Sequence, residues 1–83
     1  MSRSTVETDA YMAFLRRVIA AGGRRAGNED EIQLGMLIRL LEFLEDVIAK
    51  AVARQRERGI SWDRIALATG TTRQAAQKRW GRR

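Results

Sequence analysis

Residues 29–58 contain one glycine and no proline and have the apolar spacing of a single long helix, and no other segment constrains the fold as strongly. Asn28 and Glu31 form a capping pair at its start, and Gly59 stands just beyond its end. Thirty residues at about 1.5 Å each make a helix about 45 Å long. That length is out of proportion for a compact monomer of 83 residues.

This predicted long helix carries two sets of apolar residues. The first follows alternating steps of three and four, like a coiled-coil seam that ends in a polar residue: Leu34, Leu37, Leu41, Leu44, Ile48, Ala51, Gln55. The second lies outside the seam and consists of Ile38, Leu40, Phe43 and Val47. The preceding helix can cover one face, and a second copy of the chain most simply covers the other.

We therefore predict a homodimer with these residues in its interface: Leu34, Leu37, Leu41, Leu44 and Ile48. The alternative is a compact monomer in which the long helix folds back or bends near Gly35.

A first helix is predicted before the long one. Ser4 and Glu7 have the spacing of a capping box, which starts this helix near Thr5. One apolar stripe follows, made of Tyr11, Phe14, Leu15, Val18 and Ile19. Gly22 and Gly23 are expected to end the helix and to open a loop that reaches Asn28. Residues 1–58 then form a helical dimerisation scaffold.

The composition narrows both fold and function. The absence of proline and the many Ala, Leu, Arg and Glu residues predict an all-α fold. Without Cys or His the chain has no disulfide, no Cys/His zinc site, no thiolate nucleophile and no imidazole base, so we expect no metal, no cofactor and no enzymatic activity. No secretory leader or membrane span is recognisable, which predicts a cytoplasmic protein.

Positive charge is concentrated at the C-terminal end. Residues 1–50 hold seven Lys and Arg against eight Asp and Glu, a net charge of −1, whereas residues 51–83 hold nine against two, a net charge of +7. A localised basic segment indicates a polyanionic partner more strongly than the total charge of +6 does.

The same basic segment predicts two short helices joined by a tight turn. Ser61 can cap the first of them, with Ile60 and Ile65 as a hydrophobic staple, and Gly70 can take the positive φ that the turn requires. Trp62, Ile65 and Ala66 share one face of that helix. Thr71 and Gln74 form a further capping pair, which starts a final helix from Thr72 to about Gly81.

The final helix has two different faces. Thr72, Ala76 and Trp80 are suited to packing against the preceding helix. The opposite face carries side chains that pair with base edges in the major groove, and these are the predicted DNA base contacts: Arg73, Gln74, Gln77 and Lys78. Predicted phosphate contacts are the hydroxyls and guanidinium groups around them: Thr71, Thr72, Arg64, Arg79, Arg82 and Arg83. The alternative for this face is a solvated helix surface.

Residues 59–83 resemble the helix-turn-helix of small bacterial DNA-binding regulators, and more distantly that of sigma-factor region 4. The resemblance rests on Ser61-Trp62, Ile65-Ala66, Gly70, Thr72-Arg73-Gln74-Ala75-Ala76 and Arg79-Trp80. It departs from the pattern at Thr69 and Thr71, where such motifs usually have an apolar residue. The resemblance implies DNA binding.

These observations together predict a homodimeric, sequence-specific protein that binds double-stranded DNA, a transcriptional regulator with two recognition helices about 34 Å apart. Two alternatives stay open. The chain could be an adaptor whose N-terminal helices bind a protein partner, such as polymerase or another regulator. It could also be an architectural protein that coats DNA with little sequence preference.

Overall fold

Four helices make up the part of the chain that the computed structural model describes, residues 3–81, with side chains from Ser4 onward. They are α1 (Arg3–Gly27), α2 (Ile32–Glu57), α3 (Trp62–Thr69) and α4 (Arg73–Trp80). No strand occurs within these residues, which confirms the predicted all-α fold. Also within residues 3–81, no helix is both long enough and apolar enough to cross a membrane.

The chain divides into two compact units, Met1–Leu40 and Leu41–Arg83, called here the N-terminal unit and the C-terminal unit. The N-terminal unit contains α1 and the first residues of α2. The C-terminal unit contains the rest of α2 together with α3 and α4, and it includes the basic segment.

α1 is longer than the sequence predicts at both ends. It continues through Gly22 and Gly23 to Gly27, and neither of the two glycines has a positive φ. A glycine costs a helix only about 1 kcal/mol relative to alanine, and the alanines and arginines around this pair favour helix. At the other end, Ser4 lies inside the helix and its carbonyl accepts a hydrogen bond from the Thr8 hydroxyl (2.9 Å), so Ser4 is not the N-cap.

α2 is a continuous helix of 26 residues, about 39 Å long at 1.5 Å per residue, and it includes Gly35. Its first turn is capped by Asp30, whose Oδ1 accepts from the N–H of Ile32 (3.2 Å), and not by the predicted Asn28. The predicted stop at Gly59 is confirmed, because Gly59 has a φ of +87°. The N–H of Ile60 then reaches back to the carbonyl of Gln55 (3.1 Å), which closes the helix end.

The N-terminal unit buries little apolar surface. Among its described residues Ala26 is the buried one. Eleven large apolar side chains are at least 41% exposed: Val6, Tyr11, Met12, Phe14, Val18, Ile19, Ile32, Leu34, Met36, Ile38 and Leu40. The expectation that α1 covers an apolar face of the long helix therefore does not hold in this unit, where both helices leave large apolar side chains open to solvent.

Alanine substitutions at two glycines are expected to change stability in opposite directions. Gly70→Ala puts a side chain at a φ of +72°, a left-handed conformation that costs about 1–2 kcal/mol. Gly22→Ala adds a Cβ with nothing within 4 Å in the helical α1, which should stabilise that helix by about 0.5–1 kcal/mol. Thermal melts followed by circular dichroism measure both changes. Shifts of the melting temperature in the same direction would contradict either the helical conformation of Gly22 or the left-handed conformation of Gly70.

Candidate nucleic-acid interface

The turn between α3 and α4 is closed by hydrogen bonds within α3 and the turn. Gly70 adopts a left-handed conformation, and the N–H of Thr71 donates to the carbonyl of Ala66 (3.0 Å). The Thr69 hydroxyl donates to the carbonyl of Ile65 (2.8 Å), so its polar group is satisfied where it is part-buried. This bond explains how threonine is accommodated at one of the two positions where the sequence departs from the helix-turn-helix pattern.

Both short helices are capped by hydroxyl side chains. The Ser61 Oγ accepts from the N–H of Arg64 (3.1 Å), which confirms the predicted cap of α3. The Thr72 side chain accepts from the N–H of Ala75 (3.0 Å), so Thr72, and not Thr71, is the N-cap of α4. The cap lies one residue later than predicted, directly after the turn that the N–H of Thr71 closes.

Small residues lie where α3 and α4 pack against each other. Ala76 of α4 has 0% of its surface exposed, and Ile65 and Ala66 of α3 are also buried. Ala76 therefore fixes which face of α4 points inward. Thr72, predicted on this inward face, is exposed and serves as the cap.

The two tryptophans are half-buried, each with an arginine over its ring. The guanidinium carbon of Arg56 lies 4.9 Å from the centre of the Trp62 ring, and that of Arg79 lies 5.1 Å from the centre of the Trp80 ring. Such stacking contributes about 0.5–1 kcal/mol at exposed sites. Arg79, predicted to contact phosphate, therefore has a contact within the protein as well.

The four predicted base contacts are all exposed on α4. Arg73, Gln74, Gln77 and Lys78 are exposed, whereas Ala76 of the same helix is buried. Their common exposure leaves their donor and acceptor groups available to a ligand. Among the predicted phosphate contacts, Thr71, Thr72, Arg64 and Arg79 are exposed too, while Arg82 and Arg83 lie outside the described residues.

Two features of α3 are missing from the sequence-based predictions. The Asp63 carboxylate, in the first turn of α3, lies 4.0 Å from the Nε of Arg73. Leu67, four residues after Asp63 on α3, is 85% exposed. Only the second could have been found by helical periodicity, because Leu67 falls outside the apolar face formed by Trp62, Ile65 and Ala66.

The predicted dimer contacts differ in exposure. Leu34, Leu41 and Leu44 are exposed, whereas Leu37 and Ile48 are half-buried. Ile48 lines a cleft of about 320 Å³ in the C-terminal unit together with Val52 of α2 and Ile65 of α3. Ile48 therefore partly faces a cleft of its own chain.

Comparisons of the chain with protein-family models, with curated proteins and with solved structures gave no match. In the part of the chain that the structure describes, no group of three or more His, Cys, Asp or Glu residues is arranged to hold a metal ion. The interpretation of this surface therefore depends on the geometry and charge of its own residues.

Proposed function

We propose that this protein is a homodimeric, sequence-specific DNA-binding protein, a cytoplasmic transcriptional regulator found on the nucleoid when bound. One observation carries the proposal: Arg73, Gln74, Gln77 and Lys78 are all exposed on the one short helix whose Ala76 is fully buried. A net charge of +7 over residues 51–83 supplies the attraction to a polyanion.

The proposed contacts follow from the chemistry of these side chains. Arg73 and Lys78 can donate to the O6 and N7 of guanine, and Gln74 or Gln77 can pair with the N6 and N7 of adenine. Arg73 and Gln74 lie in the first turn of α4, the part of a recognition helix that enters the major groove. Phosphates would be held by the hydroxyls of the turn and the arginines beside α4: Thr71, Thr72, Arg64, Arg79, Arg82 and Arg83.

Exposed apolar side chains of α2 support the homodimer. A standard interface buries about 800 Å² per partner around an apolar centre. Within the predicted seam, Leu34, Leu41 and Leu44 are 54%, 53% and 45% exposed, so they are available to form such a centre. In a dimer the seam residues Leu34, Leu37, Leu41, Leu44 and Ile48 would face their counterparts, and an inverted repeat would place the half-sites about 34 Å apart.

DNA selected from a random library tests the function directly. The expected result is an inverted-repeat motif, bound at least about 10³-fold more tightly than random DNA at physiological salt. Affinity for random DNA should fall steeply with salt, because binding releases counterions. Failure to enrich any sequence, with a steep salt dependence retained, would favour an architectural DNA-binding protein instead.

Two arginine substitutions separate base reading from backbone contact. Arg73→Ala should cost about 1–3 kcal/mol on the selected site and relax the preference at one base pair. Arg64→Ala, which removes the same charge, should weaken binding to all sequences alike and reduce the salt dependence by about one phosphate contact. Competition binding with every single-base variant of the site measures both. Unchanged base preference in Arg73→Ala would show that the recognition face is wrongly assigned.

The exposed apolar side chains also fit an adaptor that binds a protein partner through its N-terminal helices. Sedimentation distinguishes the two functions. A chain that stays monomeric at tens of micromolar protein and binds DNA weakly would favour the adaptor, whereas a dimer with a selected DNA site would exclude it as the main function.

A further inference from the structure

Acidic side chains are rare in the basic C-terminal segment. Residues 51–83 contain two, Glu57 and Asp63. Glu57 pairs with Arg54 on α2 (3.5 Å), within one helix. Asp63 belongs to α3 but lies beside Arg73 of α4, the residue proposed to read a base. A carboxylate next to a DNA-reading arginine weakens attraction to phosphate, so its position calls for a physical reason.

The atoms involved give that reason. The Oδ1 of Asp63 is 4.0 Å from the Nε of Arg73, and both side chains are exposed, at 74% and 61%. An arginine whose Nε side faces a carboxylate still has two terminal NH₂ groups, which can donate side by side to a guanine. A carboxylate on the Nε side also limits the orientations of the guanidinium plane, which an unpaired exposed arginine would sample freely.

We propose that Asp63 is a positioning residue that determines the specificity of Arg73. Its carboxylate, paired with the Nε side of Arg73, directs the two terminal nitrogens of the guanidinium toward a guanine. If Arg73 turned away from Asp63 to bind a DNA phosphate, the carboxylate would be left unpaired beside the negatively charged DNA backbone. The carboxylate therefore disfavours non-specific binding of Arg73 to phosphate. Both effects raise the ratio of specific to non-specific binding. This inference rests on the proposed function.

Four variants test the inference. Asp63→Ala removes the carboxylate, Glu57→Ala removes the other acidic group of the segment, Arg73→Ala removes the reading side chain, and Asp63→Ala/Arg73→Ala removes both. Affinities are measured for the selected site with each of the four base pairs at the position that Arg73 reads, and for random DNA. Melting temperatures show whether each variant is folded.

Asp63→Ala should lower the preference for guanine at that one position by about two- to fivefold, the range that an exposed ion pair supplies. Its affinity for random DNA should rise, and Glu57→Ala should raise that affinity while leaving every base preference intact. In the Arg73→Ala background, Asp63→Ala should change no base preference.

Three outcomes overturn the inference. If the wild type has a base preference and Asp63→Ala leaves it unchanged, the role of Asp63 is refuted and the proposed function stands. The same holds if Glu57→Ala changes the base preference as much as Asp63→Ala does. A wild-type protein without any sequence preference overturns the proposed function and, with it, the role of Asp63.

Discussion

Replacing Leu41 and Leu44 with aspartate is expected to lower affinity for an inverted-repeat site by about 10²- to 10⁴-fold, the range by which linking two binding modules strengthens binding. Both leucines are exposed in the single chain, so the substitutions disturb little within it. In a dimer they would put carboxylates into an apolar seam, where burying an unpaired charge costs several kcal/mol. The protein should become monomeric and should bind one half-site at a time.

The matched control for this double substitution is Arg39→Asp. It changes the net charge by the same −2 on the same helix, and Arg39 lies outside the predicted seam. Any loss of affinity through repulsion of DNA is therefore common to both proteins. Sedimentation and binding to full and half sites are the measurements. Equal affinities for a full site in the two variants would mean that the seam is not the dimer interface.

The helix ends that sequence predicted well are those set by local chemistry. Ser61 caps α3, Gly59 ends α2, and Gly70 takes a left-handed conformation, as predicted. Each of these signals depends on a few neighbouring backbone groups, which sequence spacing describes fully. The predicted helix end at Gly22 and Gly23 is wrong, because glycine permits a helix end without imposing one.

Competition between neighbouring caps explains the other errors. Asn28 and Asp30 both precede α2, and sequence alone does not decide between them; Asp30 accepts the N–H of Ile32. Thr71 and Thr72 pose the same problem at α4. There Thr72 is the cap, and Thr71 belongs to the preceding turn, where its N–H donates to the carbonyl of Ala66.

The candidate site was predictable to the extent that it lies on one helix. Periodicity predicted correctly that Arg73, Gln74, Gln77 and Lys78 are exposed and that Ala76 is buried. The approach of Asp63 to Arg73 joins two helices, and it depends on how α3 and α4 cross. Helical spacing contains no information on such a crossing, so a residue that acts from the neighbouring helix could not be found in the sequence.

The burial of Ala76 is expected to be essential for holding α4 against α3. Ala76→Glu puts a carboxylate where 0% of the residue is exposed, and an uncompensated buried charge costs about 3–5 kcal/mol. That cost is a large part of the roughly 5–15 kcal/mol that stabilises a typical domain. The packing of α3 on α4 should be lost, and with it DNA binding at every sequence. The half-buried Trp62 and Trp80 should then show a red-shifted fluorescence.

Ala75→Glu is the control, because it adds the same side chain to the next residue of the same helix, where the position is exposed. Its charge should weaken DNA binding modestly through repulsion, with unchanged tryptophan fluorescence and melting temperature. If the proposed dimer forms through residues 1–58, both variants should sediment as dimers. Ala76→Glu would then separate assembly from DNA reading. Equal melting temperatures for the two variants would refute the burial of Ala76, and with it the orientation of α4 on which the assigned base contacts depend.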